Sequence, residues 1–206
     1  MLRNKWKFIT LIAVGMLGWG MSSCSINLAQ QESPATVSPV RTPAETATPS
    51  GGTSSTGTRI QQWASDAEAS SEFSDPEWSA EKAAGPPDSP GCGDYQFAWA
   101  SAASDAVATL TLTYSIPVFI TEIEVVESFN PDQVVKVEVM TPRGNYETVY
   151  TSEPEQVDRP CPYRLTIPVD GLNFKSDVIR ITVDQSVLGL GWNEIDAVQV
   201  SGVTAR

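Results

Sequence analysis

From residue 109 onward the chain alternates apolar and polar residues with a period of two, repeatedly and without an intervening helical pattern. Leu110, Leu112 and Tyr114 alternate with Thr109, Thr111 and Thr113, and Ile123 and Val125 alternate with Glu122 and Glu124. The pattern returns at Val135, Val137 and Val139, at Leu165, Ile167 and Val169, at Ile179, Ile181 and Val183, and at Val198 and Val200. Successive side chains of a strand point to opposite faces, so each run buries one face and wets the other. Turn formers separate the runs at Asn130-Pro131-Asp132, Pro142-Arg143-Gly144-Asn145 and Asp170-Gly171. One helical turn is expected over Ser79–Ala84, where Gly85-Pro86-Pro87 stops it. Short half-buried strands with no helices between them predict an all-β fold, an antiparallel β-sandwich of jelly-roll topology.

The N-terminus reads as a processing signal. Arg3, Lys5 and Lys7 precede an uncharged apolar stretch of 12 residues, Phe8–Trp19, and then Met21-Ser22-Ser23-Cys24. A membrane-spanning helix needs roughly 20 apolar residues, so this stretch fits an export signal better than a permanent span. Small residues before a cysteine resemble a bacterial lipoprotein signal, which implies cleavage after residue 23 and acylation of Cys24. The expected product is exported and lipid-anchored to the bacterial cell-envelope membrane; the alternative is an ordinary secreted chain in which Cys24 is incidental. Residues 24–58 are dominated by Ser, Thr, Pro, Ala and Gly and lack aromatics, the composition of a disordered tether. As a flexible coil of about 33 residues it would reach roughly 30 Å. Residues 59–206 then form one domain, large enough to bury a core.

Charge excludes one class of partner. The 23-residue leader holds three of 13 basic residues and no acidic one, leaving 10 basic against 25 acidic residues, a net charge of −15. Nucleic acid is bound by clustered Lys and Arg, and no basic cluster follows Lys7, so no nucleic-acid partner is expected. With no histidine in the chain, Ser-His-Asp and Cys-His catalysis and His-ligated zinc are excluded. Glu194 and Asp196 share a sheet face at spacing two, but a glycosidase needs a cleft that flanks its sugar with acid and base. The chain is therefore read as not an enzyme.

After the leader, two cysteines remain, Cys92 in Pro90-Gly91-Cys92-Gly93 and Cys161 in Arg159-Pro160-Cys161-Pro162. In an oxidising compartment a disulfide between them is expected, two free buried thiols being the alternative.

Trp78-Ser79-Ala80-Glu81-Lys82-Ala83-Ala84-Gly85-Pro86-Pro87-Asp88, then Gly91-Cys92-Gly93-Asp94, Trp99-Ala100-Ser101 and the closing Trp192-Asn193-Glu194-Ile195-Asp196-Ala197-Val198 resemble galactose-binding-like domains. These are the discoidin, or coagulation factor 5/8 type C, modules, and the version most like this chain is the divergent one of pappalysin-type metalloproteases. The resemblance implies an eight-stranded jelly roll that binds rather than catalyses. It also implies a structural calcium at Asp88 or Asp94 with Glu194, although Ala84-Gly85-Pro86 stands where the family usually carries Asp-Gly-Asn. Calcium takes six to eight oxygen ligands, which loop carbonyls and carboxylates can supply; the alternative has the disulfide order the loop and Glu194 accept backbone hydrogen bonds. Ligand contacts are expected at Trp78, Tyr95, Phe129, Asn130, Trp192 and Asn193, with Trp99 in the core. Two functions follow as expectations. One is a carbohydrate-binding module that holds a glycan at the cell envelope, and the other a protein-protein or envelope-assembly module that uses the same loops.

Overall fold

A single long strand belongs to both sheets of the molecule. The computed structural model describes residues 57–206; the leader, Cys24 and the tether up to residue 56 lie outside the described residues. The strands are β1 (Arg59–Trp63), β2 (Asp66–Ala69), β3 (Val107–Phe129), β4 (Val134–Met140), β5 (Tyr146–Thr151), β6 (Tyr163–Pro168), β7 (Ser176–Asp184) and β8 (Glu194–Val203). The expected helical turn is a short 3-10 turn, Ala80–Ala83. The first part of β3 pairs with β2 and β7, and β4 and β5 continue that sheet beyond β7. The second part lies between β8 and β6 in the opposite sheet, with β1 outside β8. All these pairings are antiparallel, and the result is the jelly-roll sandwich that the alternation foretold.

The two alternating runs at 109–114 and 122–125 are thus one strand bent between sheets. The register breaks between Thr113 and Val118, where Pro117 has no N–H to give to a ladder. The Gln62 side chain fills the gap: its Nε2 donates to the Ile116 carbonyl at 2.6 Å, and its Oε1 accepts from the Ile116 amide at 3.1 Å. Between the sheets, Leu110, Leu112, Val137, Val139, Ile179 and Ile181 meet Ile123, Val125, Ile167, Val198 and Val200, all buried. Val135 is only half-buried, because a register shift between Val134 and Lys136 gives Val134 the inward place. β1, β2 and β5 are edge strands that the alternation did not reveal, since their inward residues are interrupted by polar or partly exposed neighbours.

Cys92 and Cys161 are joined, with Cα atoms 5.3 Å apart and a sequence separation of 69. The bond ties the long loop before β3 to the loop before β6. In the chain-entropy account a closed loop of this length contributes roughly 4 kcal/mol. Reduction, or Cys92→Ser with Cys161→Ser, is expected to lower the melting temperature by roughly 10 °C in calorimetry; a melt insensitive to reductant would contradict this role.

Candidate functional site

The head of β8 carries the site, and its geometry begins with two irregularities. β8 has one extra residue, Asp196, opposite Val126 and Glu127, and β3 has one extra residue, Ser128, opposite Glu194 and Ile195. Bulges of this kind interrupt the alternation and redirect side chains. Here they give unbroken buried runs, Val125–Ser128 and Asn193–Val198, in which Glu127, Glu194 and Asp196 sit among apolar neighbours.

Two of these carboxylates hold the 88–95 loop. Asp196 Oδ1 accepts from the Ser89 amide at 3.1 Å, the Ser89 hydroxyl at 2.9 Å and the Asp88 amide at 3.3 Å. Glu194 Oε2 accepts from the Tyr95 amide at 3.0 Å. Trp99, 0% exposed, pairs with Ile195 through both backbone bonds and donates its indole N–H to Ser71. The neighbouring Ser101 accepts at its carbonyl from the Trp192 indole, 2.9 Å, and at its hydroxyl from Gln185, 2.6 Å. The Trp99-Ala100-Ser101 motif is therefore a bracket that places Trp192.

What the bracket builds is an aromatic cleft. Phe73 lies edge-on to both Trp78 and Trp192, with ring centroids 5.3 Å apart in each pair. Together with Asp94, Ala100 and Glu194 these rings line a cavity of about 90 Å³. Trp78, held in the left-handed region at φ 56°, donates its indole N–H to Asp94 at 3.1 Å. Phe73 is 48% exposed and was not foreseen from sequence, because it stands alone between serines and glutamate with no periodic pattern. Apolar ring surface beside two carboxylates can stack on a sugar face and accept its hydroxyls.

Asp94 and Glu194 line the same cavity. Burial, aided by Asp94 and opposed by the Tyr95 amide, pushes Glu194 up to about 8. Glu127 is also pushed up to about 8, by burial first, against the hydrogen bond from Asn193.

The structure sorts the expected residues into several places. Trp78, Trp192, Asp94 and Glu194 come together. Asp88 does not join them: it is exposed and sits against Asp196, because the loop turns between residues 89 and 94. Tyr95 is half-buried, touching the cleft through its backbone bond to Glu194, with its ring near Gly93. Phe129 and Asn130 line a separate open groove beside the disulfide. Asn130, at φ 42°, donates to the carbonyls of Leu190 and Trp192 and so braces the loop before β8. Asn193 is 0% exposed and belongs to the scaffold rather than to a ligand surface, its amide donating to Glu127 at 2.6 Å and to Asn130 at 3.1 Å. Among the described residues no three acidic, thiol or imidazole groups converge as a metal site. Of the expected calcium ligands, Asp94 and Glu194 come together at the cleft and Asp88 stands apart.

The family model described as pappalysin-1, SD scarf domain, C-terminal, matches residues 52–206. No curated protein matches the chain. Among solved structures, a mutant of chitosan-binding module 1 from a chitosanase/glucanase of Paenibacillus sp. IK-5 is 17% identical, covering 67% of this chain and 94% of that one with a TM-score of 0.50. The family 32 carbohydrate-binding module of C. perfringens NanJ, in complex with galactose, is 18% identical, covering 69% of this chain and 99% of that one with a TM-score of 0.47.

The raised carboxyls set a pH dependence. Between the ordinary carboxylate range and about 8 the folded chain keeps protons that the unfolded chain has lost, so stability falls as pH rises through that window and levels off above it. In chelator, the melting temperature is expected to drop by several degrees from pH 5 to pH 9. Glu127→Gln and Glu194→Gln should each flatten part of the slope, and variants with the wild-type slope would refute the assignment.

Proposed function

The chain belongs to the pappalysin-1 C-terminal SD scarf domain family, and on that footing we propose that it is a non-catalytic binding module whose aromatic cleft takes carbohydrate. The observation that carries this reading is the meeting of Phe73, Trp78 and Trp192 with Asp94 and Glu194 at one loop end. The ring edges and faces offer apolar contact to the C–H side of a sugar, and the carboxylates offer acceptors for its hydroxyls. A binding role suits the carboxyl geometry too. Asp94 and Glu194 line one small cavity together, and burial, with their side by side placement, pushes Glu194 up, whereas acids that flank a glycosidic bond stand on either side of the sugar, about 5 Å apart or more.

A calcium ion at the Asp94–Glu194 pair belongs to the same proposal. Bound there, it would supply positive charge that holds both carboxylates ionised and fixes the 88–95 loop. Repeating the pH series with calcium in place of chelator should then raise the melting temperature above pH 7 in the wild type and not in Glu194→Gln.

The module is also proposed to be exported and lipid-anchored through Cys24. The chain enters the domain where Thr58 and Thr204 bond to each other, at the tail of β8, while the cleft lies at its head. Ten residues of β8, at about 3.3 Å each, put roughly 30 Å between root and cleft.

A glycan array probed with the purified chain is expected to show saturable binding to a defined glycan class. Trp192→Ala or Trp78→Ala should weaken it at least tenfold, and Phe73→Ala by several-fold. A blank array from folded protein would overturn the carbohydrate reading in favour of polypeptide recognition by the same loops. Cys24→Ala should release the chain from membranes and abolish acyl labelling, and undiminished membrane retention would defeat the anchor.

A further inference from the structure

The second raised acid, Glu127, lies outside the aromatic cleft. With Asp132, Tyr150, Glu155, Arg159 and Tyr163 it lines a cavity of about 70 Å³ at the mouth between the sheets, where β3, β5 and β6 approach one another. The 153–161 segment covers this cavity and is fixed there: the Val157 amide donates to Asp132 at 3.1 Å, Arg159 pairs with Asp132, and Cys161 is held by its disulfide.

Glu127 is 1% exposed, and the β3–β8 register slips on either side of it, so the strand is built to turn this carboxyl inward. Its one side-chain donor among the described residues is Asn193 Nδ2, at 2.6 Å, and it belongs to no ion pair there. Burial keeps Glu127 protonated up to about 8, despite the Asn193 bond and the Asp132 amide, so it becomes a counter-charge when a cation enters the cavity beside it. The nearby cation is already committed, since Arg159 pairs with Asp132 and lies 4.6 Å over the Tyr163 ring. That arrangement shows what the rim accommodates, a cation between a carboxylate and an aromatic face. Glu153 and Glu155 add further negative charge at the opening. The acids are too dispersed to meet on one metal ion, which favours a larger organic cation. A water needs about 10–15 Å³ of such space, so the cavity admits an end group and not a whole ligand of drug size.

We propose that this cavity binds the primary ammonium group of a ligand, with Glu127 as the buried counter-charge and Tyr150 offering its ring to the cation. The ammonium can come from a lysine side chain or from an amino sugar, and this site stands independently of the aromatic cleft.

Titration of the 15N-labelled chain with N-α-acetyl-lysine methylamide and with glucosamine, each beside its N-acetylated, uncharged mate, tests it. Saturable shifts at the amides of Asn193 and Tyr163 are expected from at least one amine and from neither mate, and the amine that binds identifies the source. Glu127→Gln keeps an oxygen for the Asn193 bond and should weaken binding at least tenfold while glycan binding at the aromatic cleft stays unchanged. The lysine probe, whose ammonium stays charged throughout, should bind the wild type more tightly from pH 6.5 to pH 9 as Glu127 loses its proton, whereas glucosamine is compared with its mate at pH 6.5, where its amine is charged. The groups facing it are Asp132, Glu153, Glu155 and Arg159 from the loops, Tyr150 from β5, Tyr163 from β6 and Asn193 from the loop before β8. Absence of shifts with both amines, equal shifts from the uncharged mates, or a pH-independent affinity for the lysine probe would each overturn the proposal, even if the Glu127 variant fails to fold.

Discussion

Where β3 meets β8, the paired insertions at Ser128 and Asp196 break the two-residue alternation, and the whole loop end of the sandwich depends on that break. In a regular ladder, Glu127 and Asp196 would alternate with their neighbours between core and solvent. With one extra residue on each strand, Glu127, Glu194 and Asp196 all become buried, each 2% exposed or less. Burying a carboxylate is unfavourable unless donors reach it. The donors come from elsewhere in the chain: the Ser89 and Asp88 amides on Asp196, the Tyr95 amide on Glu194 and the Asn193 amide on Glu127. The 88–95 loop therefore owes its course to acids on the last strand, and the cleft owes its walls to that loop.

The aromatic residues are arranged by the same logic of satisfied polar groups. At this end three indole N–H groups have an acceptor: Trp78 on Asp94, Trp99 on Ser71 and Trp192 on Ser101. Such bonds fix which way a ring lies, which packing alone does poorly at a half-exposed loop. Trp99 is consumed by the core, whereas Trp78 and Trp192 leave ring surface for Phe73 and for the cavity between them. Gln185 carries the bracket further, donating to Ser101 and accepting from the Asn193 backbone amide, so it ties the loop before β3 to the loop before β8.

The sandwich was legible in the sequence because burial of one sheet face imposes the period of two, and Leu110–Tyr114, Ile179–Val183 and Val198–Val200 keep that period. The resemblance singled out Trp78 and Trp192 as ligand contacts and Asp94 and Glu194 as metal ligands, but not that all four line one cavity. Asn193 was misjudged from the same motif: an amide beside a tryptophan looks like a ligand contact until its burial against Glu127 and Asn130 is seen. Asp88 was misplaced for a related reason, since a loop rich in Pro and Gly does not disclose which of its acids turns toward β8. Glu127 could not be read at all. In Val125-Val126-Glu127-Ser128-Phe129 a glutamate passes for the solvent side of an alternating strand, and only the slipped register reverses it. Phe73 likewise has no neighbours in sequence that mark it; its partners are 5 and 119 residues away.

The two cavities at this end differ in what holds them open. The aromatic cleft is walled by rings whose orientation is fixed through backbone carbonyls and Asp94, so its shape depends little on protonation of distant groups. The Glu127 cavity is walled by charges, and its cover is tied down by the Arg159–Asp132 pair and the Cys92–Cys161 bond. Loss of the disulfide frees one end of the 153–161 cover while leaving Trp192 on its Ser101 bracket. Reduction should therefore disturb the charged cavity more than the aromatic one, because the 88–95 loop, once freed at Cys92, keeps its bonds to Asp196 and Glu194, whereas the 153–161 cover rests on its contacts to Asp132.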